Sequence, residues 1–152
     1  MDHSESIEIA VAPETAFAAI ADLPAMGRRS PENRGGKWLN GVTGPARAAK
    51  FKGDNTHGSS SWSTIATVTD YAVPNRFAFN VKYGAFKISR WVYDVERTPG
   101  GCRVTESWTD RRGYLVRRDA RKNDYDRAEF TRESIRETLA RLKAELEAAP
   151  PT

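Results

Sequence analysis

The feature that most limits the fold is a long stretch near the C-terminus. Residues 123–148 contain neither glycine nor proline, and helix-forming residues dominate. Apolar side chains recur there at the spacing of one helix face: Ala128, Ile135, Leu139, Leu142 and Leu146. The pattern predicts an amphipathic helix of about 24 residues, roughly 36 Å long, that ends before Pro150 and Pro151. Such a helix needs another apolar surface against which to bury its stripe.

The middle of the chain has the opposite pattern, in which short stretches of strand-forming residues alternate with turn signals. We predict seven strands: 6–11, 37–39, 48–52, 61–71, 77–83, 86–97 and 102–110. The intervening turn signals include Asn40-Gly41, Gly53-Asp54-Asn55, Pro74-Asn75 and Pro99-Gly100-Gly101. Connections this short favour antiparallel pairing, because parallel strands need long crossovers.

Two short helices are predicted between the first strand and the rest. One covers about residues 13–22, where Pro13 suits the first helical position. The second covers about residues 25–32 and is stopped by Asn33-Arg34-Gly35-Gly36. The order predicts an α+β fold, with a seven-stranded antiparallel sheet wrapped around the C-terminal helix and the short helices at one end. We expect a single domain over residues 1–152, with a core at about 5–148.

Composition narrows the class of protein. Of the 152 residues, 39% are hydrophobic and 29% charged, which is typical of a folded globular domain. The chain has no run of about 18 apolar residues, so no transmembrane helix is predicted. The polar start, residues 1–6, does not resemble a signal peptide. Cys102 is the only cysteine, so no internal disulfide can form. We expect a cytoplasmic protein with no stable membrane insertion.

Several motifs together resemble a known family. They are the opening Ile7-Glu8-Ile9-Ala10-Val11-Ala12-Pro13-Glu14-Thr15-Ala16-Phe17, then Ser30-Pro31-Glu32, Trp38-Leu39-Asn40-Gly41, Trp62-Ser63-Thr64, Arg76-Phe77-Ala78-Phe79, and Gly101-Cys102-Arg103-Val104-Thr105-Glu106-Ser107-Trp108. Over about residues 5–146 the chain resembles the START/polyketide-cyclase/birch-pollen-allergen superfamily (SRPBCC), and most of all its bacterial polyketide-cyclase-like branch. The resemblance implies a helix-grip fold with a ligand cavity between sheet and helix.

One position departs from that resemblance. The branch often carries tryptophan before Ser-Pro-Glu, whereas this chain has Arg29. If the position faces the mouth of the cavity, the entrance of this protein is more polar and more cationic than the entrances of its relatives.

Aromatic residues in the predicted strands are the main candidates for ligand contacts. Inward-facing strand residues of a helix-grip fold face the gap between sheet and helix. The candidate ligand-binding residues are Trp38, Phe51, Trp62, Phe79, Trp91, Glu106, Trp108 and Tyr125. The aromatic members either fill the core or line an apolar pocket, and the pattern leaves both open. Tyr114 and Tyr125 flank an arginine-rich segment and are candidates to gate the entrance, or are simply exposed.

Glu106 is the most informative polar residue. It alternates with Val104 and Trp108, so if these point inward, a carboxylate does too. A buried carboxylate needs a partner or a raised pKa, and Arg90 on the neighbouring strand is a candidate partner. No catalytic residue is assigned, and Glu106 and Arg90 are the candidates. A slip of one residue in the strand register would turn both Glu106 and Arg90 outward. Our hypothesis is that Glu106 points inward and is the polar anchor of the cavity.

Other chemistry has little support. His3 and His57 are the only histidines, too few with one cysteine for a structural zinc site, and His57 is predicted to lie in a turn. Cys102 lacks a nearby base and is predicted to be inert. The Gly100-Gly101 pair is a turn without a phosphate-binding loop. We therefore expect no metal and no cofactor.

Three functions remain. The first is binding or transport of a hydrophobic or aromatic small molecule, lipid-like or polyketide-like. The second is an aromatase/cyclase-type enzyme that works mainly by orienting a reactive chain. The third uses the net charge of +4 and pI near 9.4 and the basic segment 111–122 to bind nucleic acid. It is the least favoured, because the aromatics lie in strands and a charged, solvated loop explains the segment. An open sheet edge offers a surface for a homodimer.

Overall fold

The computed structural model describes residues 1–113 and 126–148. Seven strands form one antiparallel sheet: β1 (His3–Ile9), β2 (Asn33–Trp38), β3 (Lys50–His57), β4 (Ser60–Ala72), β5 (Arg76–Tyr83), β6 (Phe86–Thr98) and β7 (Gly101–Asp110). Their spatial order is β1-β7-β6-β5-β4-β3-β2. The chain therefore runs as a meander from β2 to β7, and β1 closes the series beside β7.

The first and last helices lie where the sequence predicts them, whereas the second is shorter than the predicted 25–32. Helix α1 (Pro13–Ala21) begins at Pro13 and is followed by a 3₁₀ helix (Leu23–Arg28). Helix α2 (Arg127–Ala148) is the long C-terminal helix and lies closest to β1 and β7. This is the predicted α+β helix-grip arrangement. In the part of the chain that the structure describes, no helix is both long and apolar enough to cross a membrane.

The inner face of the sheet changes in character along the strands. Val95 and Val104 face each other across β6 and β7 and are fully packed in the core. Phe77 is also fully buried, and its ring meets that of Phe17 from α1 edge-on, with centroids 6.4 Å apart. At this end, α1 covers the sheet and fills the space. The other end of the same face is covered by α2.

The predicted bounds around Asn33-Arg34-Gly35-Gly36 were wrong, because the 3₁₀ helix ends already at Arg28 and these four residues begin β2, which was predicted only from residue 37. The glycines are needed where β2 approaches β3, since a Cβ on Gly36 would lie 1.9 Å from the carbonyl oxygen of Lys52. The register also shifts between Asn33 and Gly36. Glycine therefore marks a close approach with an irregularity in the strand here, rather than a loop.

The predicted turn at Gly53-Asp54-Asn55 was also wrong. Strand β3 continues through these residues, and the hairpin turns at Gly58-Ser59 instead, where Gly58 has φ of +58°. His57 is thus the last residue of a strand, not part of a turn. Helix α2 begins at Arg127 among the described residues, and Ala128, predicted to lie on the buried stripe, is exposed.

Candidate functional site: a cavity between sheet and helix

A cavity of about 800 Å³ lies between the inner face of the sheet and α2. This volume is within the range of small-molecule sites in proteins, about 300–1,000 Å³. Its apolar lining comes from the strands and the 3₁₀ helix: Leu23, Met26, Phe51, Ala66, Phe79, Val81, Ile88, Trp91, Tyr93 and Trp108. The aromatic residues of the strands therefore border open space and do not close it.

Strand register explains how the aromatics come together. Phe79, Trp91 and Trp108 pair directly across β5, β6 and β7, so the three side chains form one row on the inner face. The indole N–H of Trp91 donates to Ser89 Oγ at 3.2 Å, so the only polar group of this ring has a hydrogen-bond partner. The row forms one apolar wall of the cavity.

Helix α2 turns small polar side chains toward that wall. Thr131, Ser134 and Thr138 line the cavity, whereas Ile135 and Leu139 pack in the core. Serine and threonine side chains are short, so they leave room that leucine or phenylalanine would fill. The cavity exists because the helix presents its small residues at the end of the sheet that α1 does not cover.

Glu106 lies at the boundary between core and cavity. It pairs with Tyr93 across β6 and β7, one row from the Trp91–Trp108 pair and one row from the Val95–Val104 pair. The hydroxyl of Tyr93 donates to Glu106 Oε1 at 2.5 Å. Glu106 is only 3% exposed, yet it lines the cavity. It is therefore a carboxyl group at the deep end of an apolar site.

Burial dominates the electrostatics of this pair. It raises the pKa of Glu106 from 4.5 to about 8, and the hydrogen bond from Tyr93 only partly opposes the shift. Burial, together with the neighbouring Glu106, raises the pKa of Tyr93 well above its usual value. Near neutral pH both groups are mostly protonated, so the pair can supply a proton or a hydrogen-bond donor to a molecule in the cavity.

The expected pairing of Arg90 with Glu106 was wrong. Arg90 lies opposite Thr109 and Asn80, on the outer face of the sheet. There its guanidinium donates to Thr69 Oγ1 at 2.9 Å and to Asn80 Oδ1 at 3.2 Å. Strand alternation separates it from Glu106, because Tyr93 and not Arg90 occupies the facing position. Arg90 is therefore not a candidate for the chemistry of the cavity.

Arg29 does not face the mouth of the cavity, so the condition for a more cationic entrance at this position is not met. Its side chain is 3% exposed and lies between the end of the 3₁₀ helix and α2, outside the cavity lining. It binds Glu145 through two hydrogen bonds, of 2.8 and 3.0 Å, and donates to the carbonyl oxygen of Ala19 at 3.1 Å. The contribution of Arg29 is therefore to hold α2 against the helices after β1.

Six of the eight predicted ligand-binding residues line the cavity: Phe51, Trp62, Phe79, Trp91, Glu106 and Trp108. Trp38 does not; it pairs with the cavity residue Phe51 across β2 and β3 and packs edge-on against its ring, with centroids 5.2 Å apart. Tyr125, like the proposed gate residue Tyr114 and most of the basic segment, lies outside the described residues.

Sequence patterns missed two parts of the site. Tyr93 is not among the candidate ligand-binding residues, although the register makes it the direct partner of Glu106. The run of threonine and serine at helical spacing in α2, Thr131, Ser134 and Thr138, was the signal that the helix faces open space there. Cys102 is fully buried, and burial raises the pKa of its thiol. Within residues 1–113 and 126–148, no group of three or more potential ligands could hold a metal ion.

An open antiparallel sheet that grips a long helix around a cavity defines the helix-grip class. The family model described as polyketide cyclase / dehydrase and lipid transport matches residues 2–147. The chain belongs to that family, as the motifs predicted. The comparison with curated protein sequences gave no match.

Solved structures with the same fold come from several bacteria. A polyketide-cyclase-like protein from Corynebacterium glutamicum is 25% identical, with a TM-score of 0.63 over 95% of this chain and 90% of its own. A protein from Chromobacterium violaceum has a TM-score of 0.72 at 12% identity, with 98% of both chains covered. The di-domain aromatase/cyclase StfQ of the steffimycin biosynthetic pathway has a TM-score of 0.71 at 12% identity, and the match covers 97% of this chain and 51% of StfQ.

Proposed function

We propose that this protein binds a hydrophobic or aromatic small molecule, lipid-like or polyketide-like, in the cavity between the sheet and α2. The observation that carries the proposal is the cavity of about 800 Å³ with its row of Phe79, Trp91 and Trp108. Burying an apolar ligand there is favourable by about 25 cal/mol for each Å² removed from water. The family description, which includes lipid transport, supports the same function.

The test is whether a molecule accompanies the protein through purification. Native mass spectrometry is expected to show one non-covalent adduct per chain, and solvent extraction is expected to release it chemically unchanged. Ala66→Phe is the matched loss variant, because Ala66 lines the cavity between Phe51 and Val81. Thr67→Phe places the same ring on the other face of β4. If Ala66→Phe and Thr67→Phe both retain the adduct, the molecule is not bound in the cavity and the proposal is contradicted.

A second candidate function is cyclisation or dehydration of a reactive polyketide-like chain. It is favoured by one observation, the buried, hydrogen-bonded Glu106–Tyr93 pair in the lining of the cavity. Because burial raises the pKa of Glu106 to about 8, this carboxyl group can act as a general acid. The similarity to an aromatase/cyclase supports the fold for such a role. Incubation with a linear poly-β-ketone is expected to give a product lighter by one water, with the rate reduced in Glu106→Gln. An unaltered substrate leaves binding as the function.

A further inference from the structure

The two oxygens of Glu106 have different surroundings. Oε1 accepts the hydroxyl of Tyr93. Oε2 is buried and, among the described residues, is the one buried side-chain polar atom that lacks a hydrogen-bond partner. Elsewhere in the lining, Asn55 donates from Nδ2 to Thr64 Oγ1 at 3.1 Å, and its Oδ1 accepts from Asn33 Nδ2 at 3.3 Å. These amides satisfy one another, whereas Glu106 Oε2 does not have a partner of this kind.

An unsatisfied buried oxygen is costly, which indicates that it has a partner in the functional state. The cationic side chains nearby are occupied by other carboxylates. Arg29 is bound to Glu145, and Arg136 donates to Glu5, the residue that faces Glu106 across β1 and β7. Glu106, which lines the cavity, therefore remains a neutral carboxyl group, with Oε1 as acceptor and the proton on Oε2, the oxygen that has no partner among the described residues.

We propose that the cavity selects a neutral, mainly apolar ligand with a carbonyl or similar acceptor oxygen at its buried end, and that Glu106 Oε2–H donates a hydrogen bond to that oxygen. This inference rests on the proposed binding function and specifies the chemical class of the ligand. A carboxylate would find no unpaired cation at this depth among the described residues. An ammonium would require Glu106 to lose its proton in an apolar site, which burial disfavours.

A matched pair of probes isolates the hydrogen bond: 2-acetylnaphthalene carries the carbonyl, and 2-ethylnaphthalene lacks it. Binding is followed by quenching of the tryptophans that line the cavity, at about pH 6.5. The comparison uses Tyr93→Phe and the double variant Tyr93→Phe/Glu106→Leu, so that no orphaned hydroxyl is left behind. Loss of one buried hydrogen bond is expected to reduce the ketone-to-hydrocarbon affinity ratio about 5- to 10-fold in the double variant. Glu106→Gln keeps a donor at the same place and is expected to preserve the ratio.

The ketone affinity also reports on the protonation of Glu106. It is expected to fall as the pH rises from about 7 to 9.5, because the ionised carboxylate has no proton to donate. The ionisable groups around Glu106 are Tyr93 on β6, Glu5 and His3 on β1, Arg136 on α2, and Arg29 with Glu145. Further charged or titratable residues line the cavity itself: Glu32, His57, Arg112 and Arg127. Glu106→Gln is the control, because titration of any of these other groups would change the ketone affinity of that variant too. The ketone affinity of Glu106→Gln is expected to stay constant from about pH 7 to 9.5.

The outcomes distinguish the inference from the function on which it rests. If the hydrocarbon binds and the ketone-to-hydrocarbon ratio is the same in Tyr93→Phe and in Tyr93→Phe/Glu106→Leu, ligand binding stands and the hydrogen bond is overturned. If 1-(2-naphthyl)ethylamine binds more tightly than the ketone and depends on Glu106, the carboxylate is an ionised acceptor and the inference is likewise overturned. If neither naphthalene probe binds the wild-type protein, the proposed function and the inference fail together.

Discussion

At the scale of single residues, two glutamates show how burial and partners shift a carboxyl group in opposite directions. Glu106 is enclosed by apolar groups with a neutral hydroxyl as its partner, so burial raises its pKa to about 8. Glu145 accepts from Arg29 and Arg28, and these hydrogen bonds lower its pKa to about 2. The first is a protonated group in a site, and the second is an anion that fastens an element in place.

Glu106 makes the protein less stable as the pH rises. Between pH 4.5 and about 8 the folded state binds a proton that the unfolded state has released, so the free energy of unfolding decreases through this window. The loss is about 1.4 kcal/mol per pH unit and roughly 5 kcal/mol in total. Urea denaturation at several pH values is expected to show this decrease for the wild type relative to Glu106→Gln. Parallel pH profiles for the two proteins would show that Glu106 is ionised when folded.

Glu145 contributes stability of the opposite pH dependence. Its lowered pKa stabilises the folded state above about pH 4.5, and this contribution is lost as the pH falls toward 2. Because its side chain is 37% exposed, solvent screening reduces the effect, and Glu145→Gln is expected to cost about 1–2 kcal/mol at pH 7. Glu147→Gln removes an exposed i,i+4 pair with Lys143 from the same helix, and is expected to cost less than about 0.5 kcal/mol. Equal losses in the two variants would contradict a special role for Arg29.

At the scale of elements, α2 has two functions on adjacent faces. Ile135, Leu139 and Leu142 are buried in the core, while Thr131, Ser134 and Thr138 border the cavity. The leucine and isoleucine stripe was predictable, because helical periodicity is a local property of the sequence. The hydroxyl-bearing face was not predicted, because the sequence does not show whether a threonine in a helix faces solvent, the core or a cavity.

The division of α2 can be tested by two truncations of similar chemistry. Leu139→Ala removes a side chain that is 2% exposed and packed in the core, and is expected to cost about 2–4 kcal/mol of stability. Ser134 borders open space, so Ser134→Ala is expected to change stability by less than about 0.5 kcal/mol. Thermal and urea unfolding measure both. A large loss in Ser134→Ala would mean that the helix packs there and the space is closed.

The strands show where local prediction fails. All seven were identified, and β5 matches the predicted 77–83 within one residue. Glycine misled the assignment of β2 and β3, because Gly36 and Gly53 face each other inside the sheet. Their absent side chains allow a close approach of two strands, which sequence alone does not distinguish from a turn.

At the scale of the whole molecule, the cavity depends on contacts that no single segment specifies. The row of Phe79, Trp91 and Trp108 arises from the register of three strands. The same register pairs Glu106 with Tyr93 and places Arg90 on the outer face. An inward Glu106 could be proposed from alternation, but its partner could not, because a shift of one residue in the pairing would exchange the two faces.

The open space itself follows from where the covering elements lie. Helix α1 fills the end of the sheet around Phe77, and α2 covers the other end with small side chains. Composition alone was compatible with a filled core. We therefore propose that the remaining space between sheet and α2 holds a small apolar molecule.

The most direct test of that claim is titration with N-phenyl-1-naphthylamine, a neutral probe whose fluorescence rises in apolar surroundings. The wild type is expected to bind one molecule per chain, with energy transfer from the tryptophans of the cavity wall. Ala66→Phe, which fills the cavity, is expected to weaken binding at least about 10-fold, and Thr67→Phe, on the opposite face of β4, is expected to leave it unchanged. Equal saturable binding by a folded Ala66→Phe protein, or no binding by the wild type, would contradict the account.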